Sequence, residues 1–180
     1  GGILFLDEFP EFSRAALETL RQPLEEREVT VSRVEASVTY PANFQLVAAM
    51  NPCPCGHFPD RSRCRCTDGQ ITRYLQKVSG PMLDRIDICA EASPITYGDI
   101  RSSGNNESSR EIRARVEQAR KIQGERFAGE NIRCNGEMSG RHIRKFCWLG
   151  REEEKFMEEI FKKLALSARM HDRILKVART

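Results

Sequence analysis

Two carboxylates stand side by side at the end of an apolar run, Gly1-Gly-Ile-Leu-Phe-Leu-Asp7-Glu8. A carboxylate at the C-terminal tip of a parallel strand sits on the sheet edge where ligands bind. One acid there can hold Mg²⁺ through water, and its neighbour can orient or deprotonate a hydrolytic water. Asn51 closes a second apolar run, Phe44 to Met50. A neutral amide at that place can position a water or contact a γ-phosphate; an Asn also serves simply to start a turn before Pro52. Arg85 lies between Asp84 and Asp87, after the Gly80-Pro81 break. An Arg projected from a subunit edge can stabilise charge on a phosphoryl group transferring in the neighbouring subunit, while the same spacing also permits a local Arg–Asp pair.

A second kind of chemistry lies in CPCG…CRC. Cys53 and Cys55, then Cys64 and Cys66, form two C-x-C pairs around a short basic loop. Four thiolates so grouped can give one tetrahedral Zn²⁺ site, although the usual C-x₂-C spacing is absent and His57 is an alternative ligand. A metal-free reduced loop and a disulfide are the other readings. Seven cysteines in all, an odd number with one tight cluster, speak against a secreted disulfide framework and for a reducing compartment.

The 180 residues accommodate one domain or two small ones, and 39% hydrophobic with 31% charged residues fits a globular chain. No apolar run approaches the roughly 20 residues of a membrane span, and no basic n-region marks a signal peptide. The formal net charge of +3 is too small to imply nucleic acid by itself, but it is uneven. Residues 1–90 hold 10 Lys and Arg against 12 Asp and Glu; residues 91–180 hold 19 against 14.

The elements needed to position these residues can be read from pattern. Ile3 to Leu6 predicts a strand covered on both faces, as in a parallel sheet. A helix follows, with Ser13 as N-cap, Leu17, Leu20 and Leu24 along one stripe, and a kink or end near Pro23. Val29–Arg33 and Val38–Tyr40 predict a β-hairpin, and Phe44–Met50 a second buried strand. After the Cys-rich loop, an amphipathic segment runs through Ile71, Leu75 and Val78, and Leu83–Cys89 alternates like a short strand. The texture changes between residues 92 and 108, where Ser102–Ser109 is polar and loop-like. Beyond it four helices are expected: one opened by the Ser108/Glu111 capping box with an Ile112, Val116, Ala119, Ile122 stripe, then helices from Ser139, Glu152 and Ser167. In the last, Arg169 and Arg173 lie one turn apart.

In this order GGILFLDE, a helix, a hairpin, FQLVAAMNPCPCG, RYLQKVSGPMLDRIDI and LSARMHDRILKVART resemble the magnesium-chelatase-like branch of the AAA+ ATPases, most specifically the bacterial ComM (YifB) competence-protein family. The resemblance runs along essentially the whole chain. It implies an α/β fold: a partial AAA+ parallel-sheet core with a β-hairpin insertion over residues 1–95, followed by an all-α lid over 108–180. Asp7 and Glu8 then correspond to the Walker B pair, Asp7 on Mg²⁺ and Glu8 polarising water. Asn51 corresponds to sensor 1, Arg85 to the arginine finger and Arg169 to the sensor 2 residue of the lid. The hairpin corresponds to one that related helicases point into a central pore, making Arg33 a candidate DNA contact through phosphate.

The phosphate-cradling G-x-x-x-x-G-K-[ST] loop occurs nowhere in these 180 residues. In the family resembled it lies upstream of Walker B, as does a domain resembling a Lon-type protease fold. The expectation is therefore a C-terminal part of a cytoplasmic, bacterial, homo-hexameric ATPase that uses ATP and Mg²⁺ to move DNA, linked through the resemblance to branch migration in natural transformation. Two other functions are open: a chelatase-type subunit remodelling a protein partner for metal insertion, and a non-enzymatic zinc-binding interaction module.

Overall fold

A computed structural model describes residues 2–95, 97–101 and 107–180. Residues up to Ile86 form one compact unit and residues from Asp87 a second. Most of the polar Ser102–Ser109 stretch lies outside the described residues.

The first unit is built on two parallel strands, β1 (Gly2–Leu6) and β4 (Phe44–Ala48), in register from Gly2 opposite Phe44 to Leu6 opposite Ala48. The pairing continues past the strand ends: the Ala49 N–H donates to the Leu6 carbonyl and the Phe9 N–H to the Ala49 carbonyl, both at 2.9 Å. After β1, Ser13 caps helix α1 (Arg14–Thr19) by accepting the Ala16 N–H at 3.2 Å. The helix breaks at Leu20 and resumes as α2 (Arg21–Glu26), which contains Pro23. Leu17, Leu20 and Leu24 pack with Phe9, Val78 and Met82 against Leu6 and Leu46, covering one face of the sheet. Among the described residues nothing covers the other face. Ile3 is 71% and Phe5 58% exposed, so the expectation of a strand covered on both faces fails. Apolarity alone cannot say whether a covering layer is present.

Between α2 and β4 the chain makes the hairpin β2 (Glu28–Ser32) and β3 (Ser37–Pro41), with Val29 opposite Tyr40 and Val31 opposite Val38. One face carries hydroxyls in contact across the strands, Thr30 with Thr39 and Ser32 with Ser37, each at 3.0 Å. Helix α3 (Asp68–Leu75) starts at a capping box made by Thr67 and Gln70 and buries Ile71 and Tyr74.

Leu83–Cys89 is not a strand. Ser79 caps a single helical turn, α4 (Gly80–Leu83), with Pro81 in its first turn. The Arg85 and Ile86 amides then donate back to Met82 and Leu83. The 83/86/88 apolar spacing imitated alternation, but Met82 enters the core while Ile88 stands 70% exposed.

The second unit is helical: α5 (Tyr97–Arg101), α6 (Ser109–Arg126), α7 (Gly140–Phe146), α8 (Arg151–Leu164) and α9 (Ala168–Ala178). Ser108 and Glu111 form the expected reciprocal cap on α6, and Ser167 caps α9 by accepting the Met170 N–H. Phe127, Met138, Ile143, Cys147 and Leu175 make the core. The α6 stripe is not part of it. Ile112, Val116 and Ile122 are 45–47% exposed, and Gln123 is the buried residue of this helix.

Gln123 belongs to a polar hub. The Asn135 backbone N–H donates to its Oε1 at 2.8 Å, while the buried Asn135 side chain accepts from Arg126 at 2.9 Å and donates to the Lys176 carbonyl and Thr180 hydroxyl. Asn135 thus ties the end of α6 to the end of α9. Asn135→Ala leaves these groups with unmet bonds, and it is expected to destabilise this unit by about 2 kcal/mol. A urea titration should show a lower midpoint at unchanged slope. An unshifted midpoint would mean that the hub contributes nothing. Nearby, Glu130 is only 11% exposed and is ringed by Lys145, Arg141 and His142, at 2.5, 3.2 and 3.4 Å. Lys145 leads these in holding its carboxyl below the usual range.

Candidate functional site

The chain leaves β1 by an abrupt turn. Asp7 accepts the Glu8 N–H on its own Oδ1 at 2.8 Å. Glu8 itself adopts φ 50°, ψ 43°, the left-handed region that L residues with long side chains seldom occupy. Its carbonyl accepts the Glu11 N–H at 2.7 Å, and the next two residues, Phe9 and Pro10, are fully buried. This anchor holds both carboxylates exposed at the C-terminal end of the strand. Residues in sparsely populated backbone regions cost of order 1–3 kcal/mol and cluster at functional sites.

The parallel register sets the corresponding end of β4 beside this turn, and Asn51 lies three residues beyond that strand, also exposed. Its backbone N–H donates to the buried Tyr74 hydroxyl, whose own proton is held more tightly chiefly because of burial. Gly56 turns back alongside with φ +78°, close enough that an added Cβ would stand 3.8 Å from Asn51 Oδ1. Asp7, Glu8 and Asn51 therefore share one end of one small sheet, and the Cys-rich loop begins there.

That loop folds its four thiols into a cluster whose sulfurs all lie within 4.8 Å of one another. Cys53 Sγ is 3.4 Å from Cys55 and 3.8 Å from Cys64, and Cys55 is 3.6 Å from Cys64. A disulfide needs about 2.05 Å. Four sulfurs at 2.3 Å around a tetrahedral zinc ion would stand about 3.8 Å apart, so the set is close to a zinc cage without adjustment. Without an ion the cluster is electrostatically lopsided. The His57 backbone N–H is the main influence drawing Cys55 down to about 6, while burial leads in pushing Cys66 up to about 12. A dication would let all four ionise together. His57 is not in the cluster; its amide, rather than its ring, serves Cys55. Arg61 braces the outside, paired with Asp68, stacked 5.1 Å from the Phe58 ring and donating to the Cys66 carbonyl.

The remaining candidates are placed separately. Arg33 sits at the exposed hairpin tip, where its backbone exchanges hydrogen bonds with Ala36. Arg85 is turned inward, its side chain 4% exposed. It donates to the Pro81 carbonyl and pairs with Glu25 of α2 at 2.7 Å, and its Nε has no partner among the described residues. Its ion-pair partner is therefore Glu25, sixty residues away in sequence, a distance at which no local pattern reports. In the second unit Arg169 lies exposed in the first turn of α9, and Arg173 pairs with Asp87 at 3.1 Å. Tyr74, Glu25 and Asn135 were not marked by sequence reasoning.

Two family models divide the chain between them. The one described as magnesium chelatase, subunit ChlI, matches residues 1–100, and its C-terminal counterpart matches residues 106–180. Competence protein ComM of Haemophilus influenzae is 44% identical over 180 residues, which is 99% of this chain and 34% of that protein. The uncharacterized protein YifB of Escherichia coli is 45% identical over 181 residues, 99% of this chain and 35% of YifB. A third relative, uncharacterized protein Rv2897c of Mycobacterium tuberculosis, is 42% identical over 144 residues, 80% of this chain and 28% of its own length. The chain spans about a third of the length of these curated relatives.

Proposed function

The chain belongs to the magnesium chelatase ChlI family, and from that premise we propose that it carries the Walker B, sensor 1 and lid part of an ATP-driven motor acting on DNA. The observation supporting this most is the acidic pair at the end of β1, exposed on the left-handed turn at Glu8, with Asn51 at the same end of the sheet. On this reading Asp7 holds Mg²⁺ through water, Glu8 polarises the attacking water and Asn51 orients it. ATP and Mg²⁺ supply the transferable phosphoryl group and its charge neutralisation. Arg85 and Arg169 would act on the nucleotide as arginine finger and lid residue in a cytoplasmic homo-hexameric ring. For Arg85 to do so it must exchange Glu25 for phosphate. Arg33 would touch DNA phosphate at the hairpin tip. The resemblance to a competence protein is what favours DNA as the substrate, and branch migration as the task, over a protein partner awaiting metal.

The four-cysteine cluster fits one Zn²⁺ held by Cys53, Cys55, Cys64 and Cys66. All four positions are closed by protein sulfur, as in structural rather than catalytic zinc.

The test is ATP hydrolysis by a polypeptide of the relatives' length carrying this sequence, measured with and without single-stranded DNA. Hydrolysis stimulated several-fold by DNA is expected. Hydrolysis indifferent to DNA would overturn the DNA reading, and no hydrolysis at all would overturn the motor. These 180 residues alone contain no phosphate-loop motif and should show no turnover.

A further inference from the structure

Charge in the first unit is segregated. Residues 1–56 hold four Lys and Arg against eight Asp and Glu, whereas residues 57–77 hold five against two. The positive segment is the cysteine loop and the helix after it. Within the loop, exposure alternates: Arg63 is exposed, Cys64 buried, Arg65 exposed and Cys66 half-buried. The chain turns here, the Arg63 and Cys64 N–H groups both donating to the Asp60 carbonyl at 3.2 and 2.8 Å. The sulfurs are drawn inward to the cluster and the two guanidinium groups are left on the outside. Arg61 is already committed to Asp68 and Phe58. Asp60 accepts the Ser62 N–H and hydroxyl at 3.0 and 2.6 Å, and these bonds, with a smaller pull from the Arg63 charge, hold its carboxyl below the usual range.

We propose that Arg63 and Arg65, on the outer edge of the cysteine loop, form a contact site for the phosphates of single-stranded nucleic acid, held in shape by the metal bound on the loop's inner side. A guanidinium presents a planar fork that matches phosphate bidentately. Fixing the loop through four sulfurs lowers the entropy lost when its arginines dock. Contacts made to phosphate position the strand and carry no sequence information. The proposal rests on the DNA reading given above and adds a second point of contact to the hairpin.

The experiment is fluorescence anisotropy of a labelled oligothymidylate titrated with this chain over a range of salt concentrations. Arg63→Gln/Arg65→Gln is compared with Arg63→Lys/Arg65→Lys and with protein stripped by a zinc chelator. Both positions are exposed, so the variants should fold, and equal zinc content checks that the loop is intact. The Gln pair is expected to weaken binding about tenfold at low salt. It should also lower the slope of log K against log[salt] by about 1.4, the share of two phosphate contacts on a single strand. The Lys pair should retain most of the slope, and stripped protein should resemble the Gln pair. Binding with an unchanged slope in the Gln pair would overturn the site while leaving the DNA reading in place. Equal displacement of the oligonucleotide by polyglutamate would also overturn it, as a site for acidic protein. No binding by the unaltered chain would overturn the site too, while DNA-stimulated hydrolysis by the longer polypeptide separately decides the motor.

Discussion

Glu8→Gln is expected to lower kcat for ATP hydrolysis by about 10²–10⁴-fold, the usual worth of a positioned general base, in a polypeptide of the relatives' length. The substitution changes charge and keeps shape. The left-handed turn, the Glu11 N–H on the Glu8 carbonyl and the buried Phe9–Pro10 anchor involve the backbone or other side chains, so all three survive. The KM for ATP should therefore move little, since Asp7 still accepts the Glu8 N–H and keeps its carboxylate at the strand end. Asp7→Asn should behave differently, weakening Mg²⁺-dependent nucleotide binding as well as turnover. Steady-state phosphate release together with a fluorescent-nucleotide titration separates the two effects. An unchanged kcat in Glu8→Gln would remove the hydrolytic role from this strand end.

Cys53→Ser is expected to abolish zinc binding, taking the chain from one ion to none by atomic absorption. Cys53 is fully buried, lies within 3.8 Å of two other sulfurs and accepts the Phe58 N–H at 3.4 Å. It is thus both a ligand and the inner post of the loop. Structural zinc sites bind with an apparent 10–16 kcal/mol at neutral pH, so a zinc ion held there would be the loop's main cross-link, beside the packing of Ile71 and Phe58 on the buried sulfurs. Amide exchange over residues 53–67 should accelerate sharply in the variant, while β1 and β4 amides keep their protection. Because the ligands must be thiolates, acidification should release the ion from the unaltered chain with the same local signature. Unaltered protein that holds no zinc after reconstitution and dialysis would refute the assignment.

What was legible in the sequence was what short-range chemistry determines. Ser13, Ser108 with Glu111, and Ser167 cap helices through contacts three residues away, and each does so in the structure. The hairpin follows from two β-branched runs a few residues apart, and they pair antiparallel with Val29 opposite Tyr40 and Val31 opposite Val38. The two C-x-C pairs could be seen as a cluster because only eight residues separate them. Where long-range packing decides, the pattern misled or was silent. Leu83, Ile86 and Ile88 imitate a strand, yet Ser79 and Pro81 open a helical turn there. The α6 stripe reads as core and stands exposed, while the buried residue is Gln123, held by Asn135. Arg85 sits among acids in sequence and pairs with Glu25 instead. At the candidate site, the acids were visible as a motif, but the conformation that presents them was not, since nothing in Asp-Glu-Phe-Pro announces a positive φ at a glutamate.

With the water-polarising role proposed above, that glutamate would set stability and activity against each other. A glycine at position 8 would meet the left-handed turn without steric penalty and would relieve of order 1 kcal/mol of conformational energy. It would also remove one of the two carboxylates exposed at this turn, the one proposed to polarise water. Selection of this sequence for heat resistance alone should therefore enrich Gly or Asn at position 8, yielding hardier molecules with the reactive group deleted. Screened for turnover within a polypeptide of the relatives' length, the same library should return glutamate despite its backbone cost.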